Sequence, residues 1–205
     1  PKTSKAREVP EFLRRSVMYQ LFTRMFTKEG TFAAAEKKLP ELKELGVKDA
    51  GLTESCLVYG HLEATKGYEN TDKIGFIAHL DTAPDFTGAG VNPPLHENYD
   101  GGDIVLGDSG RVLSVKTFPY LPYLKGRTLI TTDGNTLLGA DDKAGIAEIV
   151  TAVEAVISEN IPHGDLYICF TPDEEIGAGA DHINMDKIPA DYGYTVDGGT
   201  LGEVE

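Results

Sequence analysis

An α/β domain, with a mixed β-sheet flanked by helices, is predicted from two observations on this sequence. Short apolar runs such as Ile74–His79 and Leu166–Thr171 bracket a segment, Ala144–Glu159, in which Ile146, Ile149, Val150, Val153, Val156 and Ile157 recur at helical spacing on one stripe. The resulting β, α, β order, with parallel-looking strands late in the chain, is that of an α/β sheet.

From the start of the chain, residues Pro1 to Pro10 are polar. Between Phe12 and Phe26 the residues Leu13, Val17, Met18, Leu21, Phe22 and Met25 follow helical spacing, with Arg14, Arg15 and Arg24 among the others. A basic amphipathic helix of this kind suits docking onto a core better than a membrane surface. A second helix is expected over Thr31–Leu45, interrupted at Pro40 and stopped at Gly46. One strand is expected within Lys48–Tyr59, centred on Cys56–Tyr59, and the polar stretch Gly60–Lys73 reads as a hairpin or loop.

After the Ile74–His79 strand, Pro84–Asp103 carries Pro93-Pro94 and Gly101-Gly102 with little periodicity, which predicts a long loop bordering the site; His96 in it reads as a surface residue. Short strands are expected at Ile104–Leu106, Val112–Val115 and Thr128–Thr132. Pro162 follows the end of the Ala144–Glu159 helix. Strands at Leu166–Thr171 and Tyr192–Val196 then flank an irregular stretch with a short helix near Asp181–Lys187.

With 205 residues, 40% of them hydrophobic and 25% charged, the chain suits a single soluble domain with a real core. Its formal charge of −14 argues against nucleic acid, because phosphate binding needs clustered Lys and Arg. The two cysteines, Cys56 and Cys169, form no C-x-x-C motif and no disulfide framework, which fits a reducing, cytoplasmic setting. No apolar run approaches the ~20 residues of a membrane span.

Four stretches carry chemistry. The first is Ile74 to Asp85, where an apolar strand ends in His79 with Asp81 two residues on. In an extended chain these side chains share a face, so Asp81 can accept the spare ring N–H of His79 and turn its other nitrogen toward a cation. The second, Thr136 to Gly145, places Asp141 and Asp142 at a helix start; an Asp there also caps the helix, so one can cap while the other points at metal and bridges two cations. The third, Leu166 to Glu175, puts Glu174 and Glu175 just beyond Pro172, where one can bind metal while its neighbour takes a proton from water. The fourth, Tyr194 to Gly199, sets Asp197 before two glycines. Burying so many carboxylates together is prohibitive unless protons or cations neutralise them, and open α/β sheets gather ligands at the carboxyl ends of their strands. The chain therefore reads as a metallohydrolase.

The motifs H-L-D-T-A-P-D, L-L-G-A-D-D-K-A-G-I-A-E-I, F-T-P-D-E-E-I-G and Y-T-V-D-G-G resemble those of the M20 metallopeptidase family, densely from about Lys43 to Glu205. The resemblance is strongest to its tripeptide aminopeptidases. It implies a zinc-aminopeptidase-like catalytic domain with two zinc ions, and a smaller lid and dimerisation domain inserted into it. On that resemblance one zinc is held by His79 and Asp197, the other by Glu175 and a later histidine, and Asp141 bridges them. Asp81 orients His79, and Glu174 is the general base. The implied reaction releases the amino-terminal residue of a short peptide. Other M20 activities (dipeptide hydrolysis or N-acyl amino acid deacylation) and a noncatalytic metal-binding fragment are the alternatives. Residues 1–205 are expected to be the amino-terminal part of the catalytic domain, with the lid domain and the end of the catalytic domain outside the chain; no histidine follows Asp197, so the piece alone is expected to be weakly active or inactive. Glu11 to Pro40 departs from the family pattern, lacking its early D-T-x-S and P-S-T segments.

Overall fold

The structure is a computed structural model that describes residues 47–198. The helices expected at Phe12–Phe26 and Thr31–Leu45 lie outside the described residues. In chain order the elements are β1 (Lys48–Leu52), β2 (Val58–Leu62), β3 (Ile74–His79), β4 (Leu95–His96), β5 (Ile104–Leu106), β6 (Arg111–Leu113), β7 (Leu129–Ile130), α1 (Ala140–Ser158), β8 (Leu166–Thr171) and β9 (Tyr192–Thr195). They divide between two compact units, one formed by Thr82–Gly139 and the other by the remaining described residues. No described helix is long and apolar enough to cross a membrane.

The larger unit is a mixed five-stranded sheet in the order β1-β2-β8-β3-β9 with one helix, α1. β3 runs parallel to both β8 and β9, while β2 is antiparallel to β8 and β1 antiparallel to β2. All six residues of the central strand β8 are buried, as its unbroken apolar run requires of a strand covered on both faces. Alternation then sorts its side chains. Leu166, Ile168 and Phe170 pack with Ile146, Ile149 and Val153 of α1, and Tyr167 and Cys169 pack on the other face with Leu57, Tyr59 and Ile188. Cys169 is fully buried, and desolvation pushes its thiol up to about 11, so it is a core residue and not a nucleophile.

The strand expected within Lys48–Tyr59 is two strands. A turn separates them, in which the Cys56 N–H donates to Thr53 O (3.0 Å) and Cys56 takes a positive φ of 61°. Gly60 stands inside β2, not at the start of a loop; a Cβ there would come within 2.9 Å of Val47 Cγ1, so its absence lets the strand lie close under that side chain. The expected short helix near Asp181–Lys187 is a single 3-10 turn, Met185–Lys187.

The unit Thr82–Gly139 holds two small antiparallel pairs, β4 with β7 and β5 with β6, around a cluster of Tyr99, Ile104, Leu106 and Leu121. The stretch expected to be one long loop thus contributes β4, and His96 is half-buried with its Nε2 3.0 Å from Thr131 Oγ1.

Candidate metal centre

Because β3, β8 and β9 are parallel, their carboxyl ends lie along one edge of the sheet, and three of the four predicted stretches leave the sheet there. The fourth differs. Thr136–Gly139 forms no strand, and the acids after it belong to the first residues of α1. Asp141 and Asp142 have non-helical backbone angles, so the regular helix begins after them.

His79 is only 2% exposed. Its Nδ1 lies 3.2 Å from the Asp81 carbonyl oxygen and 3.3 Å from Asp81 Oδ1, both of them acceptors. They favour a proton on Nδ1 and leave the outward nitrogen to face other groups. Around that nitrogen, Nε2, stand Asp141 Oδ1 at 2.8 Å, Glu174 Oε2 at 3.8 Å and Asp197 Oδ2 at 3.9 Å. Burial opposes charge on the ring. The hydrogen bond with Asp141 and the charges of Asp81, Asp142 and Asp141 outweigh it and hold the imidazole above its usual range.

The Asp81 carboxylate does not only face the imidazole. Its two oxygens accept the backbone N–H groups of Glu174 (3.1 Å) and Glu175 (3.0 Å), which pins the turn after β8 to the end of β3. That turn starts at Asp173 in the left-handed region and continues as a 3-10 turn, Glu174–Ile176, where irregular chain was expected. Asp142 is the capping acid. It is 1% exposed, its Oδ1 accepts the Gly145 N–H (3.1 Å) and its Oδ2 accepts the His79 N–H (3.0 Å). Desolvation raises its pKa to about 6 against those two hydrogen bonds.

Among the described residues, one set of three ligand-type side chains brings its ligating atoms within 4.8 Å of one another: His79, Asp141 and Asp197. Glu174 presents its carboxylate to the same nitrogen but lies outside that set, as does Glu175, whose backbone joins the site through Asp81 and whose charge acts on Lys143. Neutral imidazole nitrogen and carboxylate oxygen are the donors that zinc accepts, so the three residues fit such an ion. Two residues escaped the sequence reading. Lys143 is 3% exposed with its Nζ donating to the Asp81 carbonyl at 2.6 Å, and Gly145 sits hard against the end of β9. The sole signal for either was a lysine directly after two acids and a glycine two residues further on.

Comparison with known proteins bears on this geometry. The family described as M42 glutamyl aminopeptidase matches residues 123–205. Peptidase T of Clostridium perfringens strain 13 is 57% identical over 166 residues, 80% of this chain and 40% of that protein. Among solved structures, the aminopeptidase PepT of Bacillus cereus has a TM-score of 0.58 at 27% identity, covering 82% of this chain and 38% of that one. A tripeptidase of Staphylococcus aureus has a TM-score of 0.57 at 25% identity, again covering 82% and 38%. This chain spans about 40% of the length of the curated relatives it matches. Over the part of peptidase T that it spans, the chain is homologous to that protein.

Proposed function

We propose that this chain is the amino-terminal part of the catalytic domain of a zinc-dependent aminopeptidase that releases the amino-terminal residue of tripeptides. The observation that carries the reading is the convergence of three carboxylates, from Asp141, Glu174 and Asp197, on the single nitrogen His79 Nε2, in a homologue of peptidase T. In this reading His79 and Asp197 would hold one zinc, Glu175 would contribute to a second, and Asp141 would contribute to both. Zinc, when bound, polarises the scissile carbonyl and lowers the pKa of water.

The chain's own residues do the remaining work. Asp81 keeps the His79 ring oriented and, through its carboxylate, holds the amides of Glu174 and Glu175 in the turn after β8. Glu174 is half exposed, at 52%, and open to substrate. It takes the proton of the attacking water and returns it to the leaving amine. Short peptides are the substrate class, a homodimer through a lid domain is the assembly, and two free cysteines suit a cytoplasmic setting.

The test uses the full-length protein that carries this chain, supplied with tripeptides, dipeptides and N-acyl amino acids side by side. Release of the amino-terminal residue from tripeptides in preference to the others is expected; a preference for either other class would move the assignment to another M20 reaction. Zinc affinity, measured by titration across pH, is expected to fall as pH drops through the His79 pKa. Because that pKa lies above the ordinary imidazole value of 6.5, protons should begin to displace the metal above that pH. An affinity unaffected by His79→Ala would instead indicate an all-oxygen site of the kind calcium takes.

A further inference from the structure

Lys143 is a charged side chain of a type almost never fully buried without partners, yet it is 3% exposed. Its ammonium donates to the carbonyl oxygen of Asp81 at 2.6 Å, across 62 residues of sequence. The same oxygen lies 3.2 Å from His79 Nδ1. A carbonyl has two lone pairs, so it can serve both donors at once. The Asp81 carboxylate is meanwhile engaged by the Glu174 and Glu175 amides. Asp81 is therefore held from both ends; the imidazole faces its carboxylate oxygen Oδ1 at 3.3 Å as well as its carbonyl, and on the carbonyl side Lys143 donates the hydrogen bond.

We propose that Lys143 is a positioning residue of the metal centre: its ammonium fixes the Asp81 carbonyl, and that carbonyl fixes the ring orientation and tautomer that aim His79 Nε2 at Asp141 and Asp197. The inference rests on the reading of His79 as a metal ligand. It differs in sign from a purely charge-balancing role. Removing a positive charge from beside Asp81, Asp141, Asp142 and Glu175 would by Coulomb's law strengthen the binding of a cation, whereas losing the anchor of the ligand histidine weakens it.

The experiment is a zinc titration of the full-length protein and its Lys143→Met variant, with thermal melting of both metal-free forms to establish that the variant folds. Zinc binding is expected to weaken about 10- to 100-fold in the variant, the range found when a partner behind a metal ligand is lost. The His79 Nδ1–H resonance of the zinc-loaded protein is expected to exchange faster with solvent. Unchanged or tighter zinc binding would overturn the proposal. Should Lys143→Met not fold, nuclear magnetic resonance on the unsubstituted protein decides: a scalar coupling across the hydrogen bond from Lys143 Nζ to the Asp81 carbonyl carbon is expected, and its absence refutes the anchor. If the unsubstituted protein takes up no zinc, the metal reading fails, while the coupling still reports on Lys143.

Discussion

Glu174→Gln in the full-length protein is expected to lower kcat for tripeptide cleavage by about 10²- to 10⁴-fold, the range for loss of a positioned general base. Glutamine keeps the length and planarity of the side chain and removes its ability to take a proton. The Glu174 amide is held by Asp81 Oδ1, so the substitution leaves the backbone of the turn anchored as before. In the proposed reading Glu174 takes a proton and is not a ligand, whereas Glu175 helps to hold the second zinc, so zinc content should be retained in this variant. Metal analysis of the same sample separates the two effects. Unchanged turnover at full zinc occupancy would remove Glu174 from the base role, whereas turnover lost together with zinc would make it a ligand. Glu175→Gln offers the contrast: its expected effect falls on zinc affinity before turnover.

The parts of this fold and centre that the sequence revealed are those governed by local periodicity. The apolar run Leu166–Thr171 announced a strand covered on both faces, and it is the fully buried centre of the sheet. The stripe Ile146, Ile149 and Val153 announced the face of α1 that packs on it. That His79, Asp141 and Asp197 come close together was legible because each lies at or just beyond the end or start of an element beside apolar residues, and parallel strands bring such ends to one edge. What stayed hidden depends on contacts distant in sequence. The Asp142 link to the His79 N–H spans 63 residues, and nothing local distinguishes it from an ordinary helix cap. Gly60 resembled a loop residue because the neighbour that requires a glycine, Val47, sits on a different segment. Thr136–Gly139, apolar and followed by acids, resembled the strand ends on either side of it, yet it forms no strand. Lys143 passed for an ordinary helix lysine, since lysines at helix starts usually point to water.

Gly145→Ala sets two physical effects against each other. Intrinsic propensity favours alanine over glycine within a helix by about 1 kcal/mol, which on its own predicts stabilisation. The space around Gly145 predicts the reverse. A Cβ there would collide with the carbonyl oxygen of Val196 and with Asp142 Oδ1, and would stand 3.0 Å from Asp142 Cγ. Neither neighbour is the free end of a flexible side chain. Val196 is tied to β3 through its N–H to Ile77 O at 2.8 Å, and it immediately precedes Asp197. Asp142 is tied to the Gly145 and His79 amides. To admit one methyl group, the start of α1 must move off the end of β9, and the ends of both elements carry the acids that face His79. Overpacking of this kind costs about 1–3 kcal/mol, enough to override the propensity gain. A lower urea midpoint at unchanged m-value, together with weaker zinc binding, is the expected result. Higher stability with zinc affinity intact would mean that the approach of α1 to β9 is looser than this packing, and that the distance between Asp141 and Asp197 is set by something other than the missing Cβ of Gly145.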